Sequence, residues 1–415
     1  MSPAPRTHSL GTRPTRAIAI VTLVVAACLP GFADEPPLTF QSALDLAIAR
    51  NLDLAAARRG RAVREAEVRS AGQHPNPDLV FESTKDTPHR MLSLDIPFEP
   101  WKRSARIDVA REQLALADVD DAAALQALRR GVRLAFYGLL AADEADTLAS
   151  SMLQVAERVH EVAQARFEEG AAPRLDVMQA ELGLSRAKAD LELARSARAS
   201  AQAELNALLS RPPAEPLAVA GDVAQTAPLP AVDQVVARAA AGNAELRSAE
   251  REVAIEERRL GLLKAERVPT PIVSVGAVFD APGEFDFGYR AGLSLAVPLF
   301  DRNQGQIAGS LARGDQARLR RDALRLSVEA KAFAAHARAA AQRAQVAAYR
   351  DTLVPTATTI ESLAEEGYRL GRSPVLAVLD AQRTLRDAKS EYLAALLSFQ
   401  SALADLEDVL GGPIE

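Results

Sequence analysis

The chain has little of what most enzymes and compact domains are built from. Its 415 residues include one cysteine, Cys28, so no disulfide can close within the chain. Aromatic residues make up only 4% and hydrophobic residues 48%, much of the latter alanine. Few large side chains argue against a thick globular core and suit long, closely packed helices. The five histidines, His8, His74, His89, His160 and His336, lie far apart, and the four methionines form no run. No metal-ligand spacing results, and neither HExxH, GxSxG nor a phosphate-cradling glycine loop is present, so catalysis has no candidate residues. Basic groups are also in deficit, with 49 Lys and Arg against 55 Asp and Glu. Without Arg6, Arg13 and Arg16 of the N-terminus, 46 stand against 55, a balance of −9 that disfavours a nucleic-acid partner.

Arg13 and Arg16 precede the apolar run Ala17 to Leu29, which is too short to cross a bilayer. With Gly31 and Ala33 behind it, residues 1–33 read as a secretory signal peptide. Cys28 stands in a lipidation-like setting, Val25-Ala26-Ala27-Cys28. Lipidation at Cys28 and cleavage after Ala33, which discards it, both remain open.

What the sequence does have is a stretch used twice. Displaced by 201 positions, Phe167 meets Tyr368, Gly170 meets Gly371, Pro173 meets Pro374 and Val177 meets Val378. Such an offset marks a duplicated unit. Each copy places a glycine where a helix stops and a proline where the next begins, so each holds a helical hairpin. The expected organisation is a first repeat over 34–211, a linker over 212–231 and a second repeat over 232–415. The hairpin tips fall at about 167–176 and 368–377.

Each repeat opens with two short helices, the first capped by Thr39. Strands follow at about 78–83 and 91–98 in the first copy, and at about 271–280 and 287–300 in the second. Apolar residues alternate with polar or small ones, as in Leu92, Leu94 and Ile96 against Ser93 and Asp95. That alternation suits an outer-membrane barrel, and equally a sheet packed on its own helices. Proline-free runs from Lys102 to Ala172 and Leu299 to Val354 predict very long helices, with Pro355 kinking the second. In the last helix Tyr392, Leu396, Phe399, Leu403, Leu406 and Leu410 form a coiled-coil seam, where the first copy has Arg195 and Arg198 against Leu396 and Phe399. If the strands face lipid, four cannot close a barrel, and counting requires more than one chain.

Over about Pro37 to Pro413 the chain resembles the TolC family of outer-membrane efflux channels. Pro298-Leu299-Phe300-Asp301-Arg302-Asn303-Gln304-Gly305-Gln306-Ile307 is similar to its CzcC-type branch, associated with heavy-metal efflux. The resemblance implies a mainly α fold with a small β part, assembled as a homotrimer. A twelve-stranded β-barrel in the outer membrane of a Gram-negative bacterium would join a long periplasmic α-helical barrel. Implied partners are a periplasmic adaptor protein and an inner-membrane RND pump, with no cofactor.

By position, the resemblance places Asp176 and Tyr368 among groups that hold the periplasmic mouth shut, and Asp380 at an acidic ring inside it. The family's gating arginine would fall at Ser373, with Arg372 one place early, and a second acidic ring position holds Ala377. Gly170, Pro173, Gly371, Ser373 and Pro374 shape the tips an adaptor would grip. Asp176 and Asp380 also read simply as solvated carboxylates near helix starts. Export of drugs rather than metals, and a poreless periplasmic scaffold, are the alternative functions.

Overall fold

The computed structural model describes residues 37–224 and 228–414. The expected signal segment 1–33, with Cys28, lies outside the described residues. Helices α1 (Phe40–Arg50) and α2 (Leu52–Ala71) lead into strands β1 (Asp78–Ser83) and β2 (Arg90–Pro97). The long α3 (Pro100–Glu168) then turns into α4 (Arg174–Leu208). The plan repeats as α5 (Val232–Gly242), α6 (Ala244–Glu266), β3 (Pro271–Ala281), β4 (Phe285–Leu295), α7 (Gln304–Ala348), α8 (Val354–Arg369) and α9 (Val375–Leu410). The fold is thus mainly helical, with one four-stranded antiparallel sheet ordered β1-β2-β3-β4.

Thr39 caps α1 as expected: its hydroxyl accepts from Ser42 N–H at 3.3 Å while the Ser42 hydroxyl accepts from Thr39 N–H at 2.9 Å. The junction of α1 and α2 is set by Asn51, whose side-chain oxygen accepts the Leu54 N–H at 2.9 Å. Its amide also donates to the Leu208 carbonyl at the end of α4, at 3.0 Å. Asn243 does the same in the second copy, accepting from Leu246 N–H at 3.1 Å and donating to the Val409 carbonyl at 3.1 Å. Each asparagine is buried and ties the short helix pair to the end of its own hairpin. Asn243→Ala is expected to cost about 2 kcal/mol, roughly half from the cap and half from the cross-tie. Asn243→Ser, which keeps a capping acceptor and loses the cross-tie, should cost about half as much, read from denaturation midpoints in detergent.

At 69 residues, α3 runs for about 100 Å without a break. Its counterpart is interrupted where Pro355 removes a backbone donor. Instead of a simple kink, the chain forms one π turn over Tyr349–Leu353, closed by the Val354 N–H reaching back to the Tyr349 carbonyl. The seam of α9 is buried as its seven-residue spacing requires: Leu396, Phe399, Leu403, Leu406 and Leu410 join Val132, Phe136 and Leu139 of α3 and Val328 of α7 in the main core. In the first copy Arg198 turns instead to Asp143 of α3, and Arg195 lies on the surface beside Glu192.

The linker between the repeats is packed on the core, where Leu217 and Val223 are buried and Val219 bridges to Leu38. One expectation is corrected. Strand β4 stops at Leu295 rather than 300, because its partner β3 begins at Pro271, opposite Leu295. Beyond that point there is no strand to pair with, and Pro298 has no N–H to donate.

Candidate functional site

The strand register fixes which side chains share a face. Phe81 stands beside Leu92, Leu92 beside Ala277 and Ala277 beside Tyr289. Ile96, Val273 and Leu293 make a second such row, and Leu94, Val275 and Ala291 lie between. One face is therefore apolar across all four strands. The other carries Ser93, Asp95, Ser274, Arg290 and Ser294, with Gly276 and Gly292. The apolar face is uncovered: Tyr289 is 87% exposed, Leu293 73% and Leu79 71%. This excludes the alternative of a sheet packed on its own helices, which would have buried these residues. Both edge strands, β1 and β4, have one side without a partner among the described residues. No helix of those residues is long and apolar enough to cross a membrane.

At the far end of the helices, the two tips repeat one another bond for bond. The Ala171 N–H reaches the Arg166 carbonyl at 2.7 Å and the Gly170 N–H the Phe167 carbonyl at 3.0 Å. In the second copy the Arg372 N–H reaches the Gly367 carbonyl at 2.8 Å and the Gly371 N–H the Tyr368 carbonyl at 3.0 Å. Gly170 and Gly371 have φ of +71° and +72°, the left-handed cap that a side chain would strain. Pro173 and Pro374 then hold nearly identical extended angles as the next helices start.

The tip residues singled out by sequence divide into two groups. Tyr368 is buried between the hairpins, against Val159 and Ala163 of α3, Ala180 of α4 and Val375 and Val378 of α9. Asp176 is half-buried and lies within electrostatic range of it. Burial pushes the Tyr368 phenol above its ordinary pKa; Arg166 opposes that rise and Asp176 adds to it. Ser373 is half-buried, its hydroxyl 3.4 Å from the Ala364 carbonyl. Arg372, Asp380, Gly170, Pro173, Gly371 and Pro374 are on the surface.

One residue at this site was not singled out. The Arg166 guanidinium lies over the Tyr368 ring at 4.8 Å and donates to the Tyr368 carbonyl at 2.9 Å. The offset that aligns the copies pairs Arg166 with Gly367, so only the first tip carries a cation there. That asymmetry was the available signal.

Long paired helices joined to a sheet with an open apolar face and two unpaired edges define an outer-membrane channel subunit, with no enzymatic role. The chain belongs to the outer membrane efflux protein family, the TolC-like channels of Gram-negative bacteria, which it matches over residues 43–211 and 235–412. It is 31% identical over 400 residues, covering 90% of both chains, to the cobalt-zinc-cadmium resistance protein CzcC of Cupriavidus metallidurans. Among solved structures, CusC superposes with a TM-score of 0.76 at 16% identity, over 90% of this chain and 92% of that one. VceC of Vibrio cholerae superposes with a TM-score of 0.74 at 17% identity, over 91% and 97%.

Proposed function

We propose that three copies of this chain form the exit duct of a tripartite efflux system that expels heavy-metal cations. The observation that carries the assembly is the sheet: four strands, one apolar face uncovered and two edges open. In hydrocarbon every edge must be paired, and three copies joined β4 to β1 give a closed barrel of twelve strands. Strands β3 and β4, at 11 residues each, are long enough to cross. Leu319, Leu326 and Phe333 recur every seven residues on α7 and are exposed, which suits a helix of the next protomer. The helices would then form a tube through the periplasm, and the duct would be passive, opened at the tips by a periplasmic adaptor and fed by an RND pump in the inner membrane.

The metal cargo rests on the likeness to CzcC. Three symmetry copies of Asp380 near a narrow entrance would favour cations. Asp176 and Tyr368 belong to the gate in this reading, with Arg372 on the rim, and Gly170, Pro173, Gly371, Ser373 and Pro374 form the adaptor surface. A deletion strain grown across zinc, cobalt, cadmium, copper, silver and a panel of hydrophobic drugs tests the cargo. Sensitivity to metals alone, reversed by the restored gene, is the expected result. Sensitivity to drugs alone would remove the metal assignment and leave the duct.

A further inference from the structure

We infer that the seam between β4 and α7 is a binding site for an anionic phospholipid, whose headgroup is gripped by Arg267 and Arg302. The inference rests on the exit-duct reading only for where the bilayer lies.

Three observations carry it. First, a cleft of about 490 Å³ opens there, lined by Arg267 after α6, by Leu299, Phe300 and Arg302 after β4, and by Ile307 and Leu311 of α7. That is room for a phosphodiester and its glycerol, while two acyl chains would have to lie outside. Second, among the described residues neither guanidinium closes an ion pair or a hydrogen bond. The nearby carboxylates turn to Asn303 instead: Asp301 accepts its backbone N–H at 2.9 Å, and Glu266 lies 3.5 Å from its side-chain amide. Helix α7 starts beside them with no side-chain cap and no acidic residue in its first turn, so its free amides add to the positive field. Third, the apolar surface of β4 runs on along the chain into the cleft. Val297 and Leu299 are exposed, and Phe300 is 91% exposed. Two guanidiniums suit a phosphate, and an apolar surface leading away from them suits its acyl chains.

The chain builds this seam twice, and the first copy is closed by its own residues. There Arg106 pairs with Glu99 at 2.5 Å, Arg103 donates to the Gly72 carbonyl at 2.5 Å, and Lys102 donates to the Thr270 hydroxyl at 2.6 Å. The offset of 201 puts Phe300 where the first copy has Glu99, and Ile307 where it has Arg106. Gly72 and Arg267 each end the helix that leads into the first strand of their repeat. The second copy has thus exchanged an internal ion pair for two apolar side chains. It has also gained two cations without a carboxylate of their own. A lipid with an anionic head supplies both missing halves. In the exit-duct reading the helices stand on the periplasmic side of the sheet, so the seam meets the phospholipid leaflet that faces the periplasm, where basic pockets recognise anionic headgroups.

The test titrates phosphatidylglycerol or phosphatidylcholine into the full-length protein in detergent and counts retained lipid by native mass spectrometry. The wild type should hold phosphatidylglycerol about tenfold more tightly than phosphatidylcholine. Arg267→Gln with Arg302→Gln should lose that preference, and the corresponding pair of lysine substitutions should keep most of it. Phe300→Glu, which restores the residue type of the first copy, should lose as much as the double glutamine variant, because the guanidiniums then have a carboxylate at hand. Phe300 is so exposed that its replacement leaves the packing intact, as an unchanged helical circular dichroism spectrum would report. Arg186→Gln with Arg320→Gln removes the same charge from exposed helix surfaces and should change nothing. Equal retention of the two lipids by the wild type would overturn the inference, and so would a preference that survives in the double glutamine variant or in Phe300→Glu. Displacement of the lipid by millimolar inorganic phosphate would make this a free-phosphate site and overturn it too. Single-channel recording in planar bilayers separates the two readings. A protein that prefers the anionic lipid and does not conduct keeps the site and loses the duct; one that conducts without the preference does the reverse.

Discussion

Val275→Arg is expected to abolish assembly in the outer membrane, whereas Ser274→Arg one position away should be tolerated. Val275 sits in the middle of β3 on the apolar face, flanked by Leu94 of β2 and Ala291 of β4. A guanidinium on the lipid face near the middle of the bilayer costs about 2–4 kcal/mol per site, and the proposed trimer would incur about three times that. Ser274 points to the opposite face, next to Asp95 and Gly292, where water and a carboxylate can receive the charge. The measurement is the amount of heat-resistant oligomer extracted from outer membranes. Equal yields of the two variants would mean that β3 does not face lipid.

The second large effect concerns a glycine whose duplicate is a serine. Gly411 ends α9 with φ of +71°, and at the matching position Ser210 ends α4 with φ of +54°. The first copy thus tolerates a side chain in the left-handed region. The second cannot, because a Cβ on Gly411 would run into the carbonyl of Gly242, and one on Gly242 into that of Leu410. Gly411→Ser should destabilise the fold by about 2–4 kcal/mol, combining left-handed strain with a backbone collision. Ser210→Gly should be neutral or gain up to about 1 kcal/mol. Helix unfolding followed by circular dichroism in denaturant gives both values. A Gly411→Ser variant as stable as the parent would show that the α5–α9 contact yields without cost.

The sequence was most readable where residue type dictates backbone geometry. Glycine and proline at the tips wrote the same turn twice, and the structure closes it with the same bonds. Alternation placed Leu92, Leu94 and Ile96 on one face of their strand, and the register extends that face through Val273 and Leu293. The seven-residue spacing in α9 located its buried stripe. Features set by a partner were harder to read. The end of β4 depends on where β3 begins, which alternation within β4 does not reveal. Asn51 and Asn243 passed as ordinary residues between helices, because their second bond runs to carbonyls 157 and 166 residues away. Arg166 looked like one more charge in an arginine-rich helix until the second hairpin was placed beside it. The linker between the repeats gave no sign in its sequence that Leu217 and Val223 would be anchored in the core.

The contrast between the two ends of the sheet–helix body sets an order of events in biogenesis. The helical body buries Phe136, Phe399 and Leu406 within a single chain, so it can consolidate in water before any other copy arrives. The sheet has no such option, for its apolar side lies exposed among the described residues and its edges invite any passing strand. In the proposed assembly a newly made chain is therefore half finished: its stalk can mature alone, while its strands must be kept apart until lipid and sister copies receive them. Conditions that delay insertion should leave helix-containing chains that clump through their strands, not chains that are unfolded throughout.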